Sequence, residues 1–206
     1  MLSLPSPLIM GLILAGGRGS RMGGQDKGLL QFAGQSLALR VRDVLRVQTE
    51  LVLVSANRHI EDYEAMGLPV VRDRLPDYQG PLSGIEAGLK AAPTPYVFVV
   101  PCDAPFLDGS LMTRLYERME ATQANVVYAQ SQDPDGRWHA EPLFALIRSS
   151  MATRLSQFLD SGQRKVLDWY TQIEHATIDV DDALSFANAN TPEEFARYEA
   201  AAKTRS

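Results

Sequence analysis

Cysteine is almost missing from this chain: Cys102 is the single one in 206 residues. No disulfide can therefore close within it, and no Cys-x-x-Cys metal or redox motif exists. Histidine is scarce too, at three residues, and without a His-Glu-x-x-His pattern or a Cys/His cluster a zinc centre is not expected. There is no basic excess. Twenty Lys and Arg against 25 Asp and Glu give a formal charge of −5, the opposite of the footprint left by nucleic-acid or membrane-surface binding, so neither partner is expected. Nor does any apolar run approach the roughly 18 residues needed to span a bilayer. The apolar stretch over residues 1–14 has no basic leader, carries Pro5 and Pro7 and runs straight into glycines, so it reads as a buried strand rather than a secretion signal. A reducing cytoplasm fits these absences, and the length suits one domain with a sizeable core.

Glycine and cations are concentrated in one place. Gly16, Gly17, Gly19, Gly23 and Gly24 follow the first apolar run, with Arg18, Arg21 and Lys27 among them and one acid, Asp26. Glycine backbone can approach a ligand closely and turn successive N–H groups inward, which makes a concave anion site for a polyphosphate. Two familiar phosphate motifs fail here. The P-loop needs Gly-Lys followed by Ser or Thr, whereas Lys27 follows Asp26 and precedes Gly28. The dinucleotide fingerprint needs glycines at relative positions 1, 3 and 6, and counting from Gly17 the third place falls on Met22.

The rest of the chain alternates. Residues 8–14 suit a central parallel strand covered on both faces. Leu37, Val41, Val44 and Leu45 have helical spacing within 36–47. Strands are expected over 50–55 and 69–73 with a short helix between them, then a helix over 81–91 opened by Pro81, a strand over 96–100, a helix over 108–120 and a strand over 125–129. This is the pattern of a doubly wound parallel sheet. Beyond it come a turn at 133–136, a strand over 142–147, helices over 150–159 and 163–170, a strand over 176–180 and a capped helix start at Thr191-Pro192.

In open α/β sheets ligands bind outside the carboxyl ends of the strands. The glycine loop, Ser55 to Asn57, Asp73 and Asp103 all fall at such ends in this pattern. Asp103, bracketed by Pro101 and Pro105, reads as an exposed strand-end carboxylate suited to Mg2+, which takes few protein carboxylates together with phosphate oxygens; a helix cap is its plainer role. Lys27 can follow phosphate oxygens as charge migrates, and Arg21 offers them a fork. Backbone groups of Leu14, Ala15 and Gly16 can read a base edge, while Arg18 is expected in solvent. Cys102 has no evident histidine partner and reads as a small buried hydrophobe. His139 is a lone histidine of structural type.

The run Leu14-Ala15-Gly16-Gly17, Arg21-Met22-Gly23 and Lys27 resembles the signature of nucleotidyltransferases that activate sugars and cofactors with an NTP, and within them the molybdenum cofactor guanylyltransferases. The resemblance continues through Gly80 to Gly84, Pro101 to Pro105 and Asn188-Ala189-Asn190-Thr191-Pro192. It implies a Rossmann-like three-layer α/β/α sandwich of nucleotidyltransferase type with a mostly parallel sheet. Residues 1–206 would form one domain, about 1–130 holding the NTP and about 131–206 the acceptor. It further implies transfer of GMP from GTP to the terminal phosphate of molybdopterin, with Lys27, Arg21 and Asp103 as the catalytic set and Mg2+ on Asp103. Nucleotide contacts would come from Gly16, Gly17, Ser55, Asn57 and Asp73, with Asn190 completing the metal or acceptor site or merely capping a helix. Arg164 and Lys165 are candidates for the acceptor's phosphate. Relatives often read Asn-Ala-Asn-Arg where this chain has Ser55-Ala56-Asn57-Arg58, so the first amide is replaced by a hydroxyl. A monomer is expected, with transient contact to other cofactor-biosynthesis or molybdoenzyme-maturation proteins. The rivals are a cytidylyl- or sugar-phosphate nucleotidyltransferase, since cytidylyltransferases tend to carry Asp where this chain has Asn near position 190, and a non-catalytic nucleotide sensor, which would be expected to lose Lys27 or Asp103.

Overall fold

The computed structural model describes residues 8–15, 26–75, 79–133, 135–187, 194 and 198. In chain order these form β1 (Ile9–Leu14), β2 (Gln31–Phe32), β3 (Gln35–Ser36), α1 (Leu37–Arg46), β4 (Val52–Ser55), α2 (Ile60–Ala65), β5 (Val70–Val71), α3 (Pro81–Ala91), β6 (Tyr96–Pro101), α4 (Leu111–Thr122), β7 (Val126–Gln132), β8 (Trp138–Arg148), α5 (Ala152–Asp160), α6 (Val166–Tyr170) and β9 (His175–Val180). Seven strands make one sheet in the order β5-β4-β1-β6-β8-β7-β9, and β2 and β3 pair separately.

The central place of β1, between β4 and β6 and parallel to both, follows from its uninterrupted apolar run, since such a strand must be covered on both faces. Its side chains divide by parity. Ile9 and Ile13 join Val41 and Leu45 of α1 and Leu111 and Leu115 of α4. Met10 and Leu12 join Leu82, Ile85 and Leu89 of α3 with Leu155 and Phe158 of α5 and Trp169 of α6. The result is helices on both faces of a mostly parallel sheet, as expected. Each fully buried Leu or Ile in these clusters contributes about 1.5–3 kcal/mol over leaving it in water.

The expected strand over 125–129 does not extend the parallel run beside β6. β8 lies between β6 and β7 and is antiparallel to both. A tight connection causes this: the Asp133 N–H donates to the Arg137 carbonyl at 2.9 Å and the Gly136 N–H to the Asp133 carbonyl at 2.9 Å, so the chain folds straight back as a hairpin, where a parallel crossover would need a dozen residues or more. Both hairpin strands outrun the expected bounds, and their register shifts between Tyr128 and Ala129. α4 starts later than expected because Asp108 sits ahead of it, accepting from the Ser110 N–H at 2.8 Å. The helix start at Thr191-Pro192 lies outside the described residues.

Candidate functional site

Register fixes where the strand ends meet. Leu14 is aligned with Ser55 on one side and Pro101 on the other. Pairing continues one residue further: Ala15 N–H donates to the Ser55 carbonyl at 2.9 Å, Cys102 N–H to the Leu14 carbonyl at 3.0 Å, and Ala56 N–H to the Val71 carbonyl at 3.1 Å. The segments carrying Ala15, Asn57, Asp73 and Asp103 therefore leave one edge side by side. The sheet uses the Ala15 N–H and a lone pair of the Leu14 carbonyl, so two of the backbone groups expected to read a base edge are already engaged.

At this edge Lys27 Nζ donates to Asp103 Oδ2 at 2.6 Å. Asp103 is 8% exposed, which corrects the expectation of an exposed strand-end carboxylate: it is buried, with its Oδ2 bonded to the Lys27 ammonium. Lys27 opens a short 3-10 turn, Lys27–Leu29, capped by the Asp26 side chain. Asp26 Oδ1 accepts from the Gly28 N–H at 3.1 Å and from the Tyr63 hydroxyl at 2.6 Å. A Cβ at Gly28 would collide with that hydroxyl. Tyr63 was not foreseen; the only signal was that Asp26 is the one acid among the loop's cations.

Beyond β4 a second group forms. Asn57 Nδ2 donates to Asp73 Oδ2 at 2.8 Å while the Asp73 N–H donates to Asn57 Oδ1 at 3.0 Å. This reciprocal pair aligns the two residues. Ser55 Oγ reaches Asp73 Oδ1 only at 3.5 Å, the outer limit of a hydrogen bond. Burial raises the Asp73 pKa, against the bonds from Asn57 and Ser55, and Glu86 adds to the rise. Gly84 of α3 backs the group, because a Cβ there would collide with Ser55 Oγ. Arg74, next in the chain, donates through Nε to Glu86 at 3.0 Å and through Nη2 to Asp160 at 2.8 Å.

The remaining candidates divide. Arg164 donates to the Gln79 side chain and to the Leu159 and Gln163 carbonyls, so its guanidinium serves the chain connecting α5 to α6. Lys165 is exposed at the start of α6. His139 pairs with Asp133 at 2.9 Å on the exposed hairpin. Burial pushes the Cys102 thiol well above its usual range, with the Asp103 charge adding to it, which suits a packing residue and not a nucleophile. Gly16, Gly17, Arg18, Arg21 and Asn190 lie outside the described residues. Among the described residues no group of three or more His, Cys, Asp or Glu could hold a metal ion, and none of their helices is long and apolar enough to cross a membrane. One strand-end carboxylate such as Asp103 nevertheless suits magnesium, which keeps water and phosphate oxygens as most of its ligands.

Comparison with known proteins agrees with this fold. The family model described as MobA-like NTP transferase domain matches residues 11–176. The molybdenum cofactor guanylyltransferase of Polynucleobacter asymbioticus is 44% identical over 94% of this chain and 96% of its own. That of Ralstonia pickettii is 44% identical over 93% and 96%. Among solved structures, the molybdopterin-guanine dinucleotide biosynthesis protein A of Archaeoglobus fulgidus superposes with a TM-score of 0.77 at 22% identity, over 95% of this chain and 99% of its own. A CMP:2-keto-3-deoxy-manno-octonic acid synthetase complexed with CTP superposes with a TM-score of 0.78 at 13% identity, over 97% and 100%. At those identities the superpositions speak for the fold. The match over most of the chain establishes that this protein belongs to the MobA-like NTP transferase family.

Proposed function

We propose that this protein transfers GMP from GTP to the terminal phosphate of molybdopterin. The observation that carries the proposal is the Lys27–Asp103 pair at 2.6 Å, set beside the Asn57–Asp73 pair at the carboxyl edge, in a chain whose similar relatives are named for this activity. An oxygen of the acceptor phosphate attacks the α-phosphorus in line, the bond from that phosphorus to the bridging oxygen breaks, and pyrophosphate leaves with the electron pair. The nucleophile is anionic at neutral pH, so no strong general base is required. Lys27 stands where positive charge offsets what develops on the departing phosphates, and Arg21 with Gly16 and Gly17 would hold the same group. Asp73 and Asn57, aligned by their reciprocal bonds, would contact the nucleotide. Asp103 would hold Mg2+, which supplies charge neutralisation on the phosphates when bound. Asn190 would complete the metal or acceptor site, with residues 131–206 serving the acceptor, and we assign a cytoplasmic monomer meeting maturation partners transiently.

The test is competition between equal GTP and CTP in the transfer assay. A guanine site leaves buried donors or acceptors unpaired when another base enters, each at about 1–3 kcal/mol, so two of them give about tenfold or more in favour of GTP. Comparable use of both bases would overturn guanylyl transfer while sparing nucleotidyl transfer.

A further inference from the structure

We infer that Tyr63 is a positioning residue for Lys27, acting through the Asp26 carboxylate. The inference deepens the functional proposal and rests on the role given there to Lys27. A lysine ammonium travels on a flexible four-carbon stem, so where it can deliver charge depends on how firmly its backbone is held. Here one oxygen, Asp26 Oδ1, holds both neighbours of Lys27: it belongs to the residue before and accepts from the N–H of the residue after, at 3.1 Å. The same oxygen accepts from Tyr63 Oη at 2.6 Å. Asp26 is 7% exposed and Tyr63 fully buried.

Tyr63 lies 37 residues from Asp26, on α2, the helix that follows the Ser55 to Asn57 segment. Its ring belongs to the core cluster on the α1 and α4 face, which would suffice for packing. A buried hydroxyl is retained at a cost unless it makes a bond, and this one bonds to the stem of the catalytic turn. Burial first, with the bond to Asp26 and its charge, drives the tyrosine pKa far above its ordinary range, so the hydroxyl stays a donor. Gly28 is part of the device, since any side chain there would displace the hydroxyl. The nucleotide segment and the catalytic lysine are thereby joined through one hydrogen bond.

The experiment is a double-mutant cycle of Tyr63→Phe and Lys27→Ala, following pyrophosphate release from GTP with molybdopterin, each variant assayed well below its own melting temperature. Displacing a catalytic group by about 1 Å costs up to about a hundredfold, so Tyr63→Phe should lower kcat about tenfold or more with GTP KM changed less than about twofold. In the Lys27→Ala background the same substitution should have no further effect, because what it positions is gone. Asp26→Ala reaches the contact from the other side and should reproduce the loss, while Asp26→Asn, which keeps an acceptor oxygen for both donors, should restore most of kcat. Wild-type kcat in Tyr63→Phe beside a crippled Lys27→Ala would overturn the inference alone. An equal further loss in the Lys27→Ala background would assign Tyr63 to general folding and also overturn it. Unchanged turnover in Lys27→Ala would overturn the functional role of Lys27 and the inference with it.

Discussion

Replacing Asp103 by asparagine keeps the side-chain volume and one acceptor oxygen while removing the charge, so it isolates what the carboxylate does. Its side chain is 11% exposed and that of Lys27, whose ammonium lies 2.6 Å away, 22%. A pair so screened from water lies between exposed pairs, which contribute roughly 0–1 kcal/mol, and buried ones, whose disruption costs about 3–5 kcal/mol. The loss of stability in Asp103→Asn should therefore be about 1–3 kcal/mol, or roughly 4–8 °C in melting temperature at the middle of that range for a chain of this length. Thermal denaturation measures it directly. A second readout comes from the same instrument: GTP with Mg2+ should protect the native chain more than GTP with EDTA, and the variant should lose that difference along with guanylyl transfer. A variant melting within about 1 °C of the native chain would refute the energetic assignment of the ion pair. Undiminished Mg2+-dependent protection would remove Asp103 from the metal.

Two further outcomes follow from the Asn57–Asp73 group. Asp73 has a folded-state pKa raised by burial, so the native state holds this proton more tightly than the unfolded chain, and the residue's favourable contribution is complete below the unfolded value near about pH 4 and is lost as pH rises through the folded one. Asp73→Asn should thus gain stability relative to the native chain between acid and neutral pH while losing GTP protection, and a stability difference independent of pH would contradict this. Gly84→Ala forces a methyl group into Ser55 Oγ; overpacking of this kind costs about 1–3 kcal/mol, and adding Ser55→Ala should recover part of the lost stability and of the GTP protection, whereas strict additivity would show that the two residues do not press on each other.

The fold was legible where local pattern decides it. An unbroken apolar run as in β1 has to be a covered strand, and Pro81 marks a helix start through backbone chemistry that needs no partner. The place of β8 between β6 and β7 was not legible, for an equally physical reason. Its sequence carries the same apolar content whether it runs parallel or antiparallel, and only the turn from Asp133 to Arg137, closed by its own hydrogen bonds, sets its direction. Strand order is a property of connections, and periodicity does not record it.

The site divides along the same line. Glycines, strand ends and bracketing prolines are local signals, so the edge carrying Asp73 and Asp103 could be located in advance. Which charges neutralise each other could not, because the partners are remote: Lys27 and Asp103 stand 76 residues apart, Arg74 and Asp160 86. This is why Arg164, a plausible phosphate ligand by charge alone, turns out to hold carbonyls at the end of α5. In a chain of net charge −5 Lys27 and Arg74 meet carboxylates, and Lys27 is held by an oxyanion that a phosphate oxygen resembles. In the proposed reaction, then, Lys27 would exchange the Asp103 carboxylate for a phosphate oxygen while Asp103 would hold Mg2+, so what matters is less the lysine's charge than its position, which the inferred Tyr63–Asp26 contact would set.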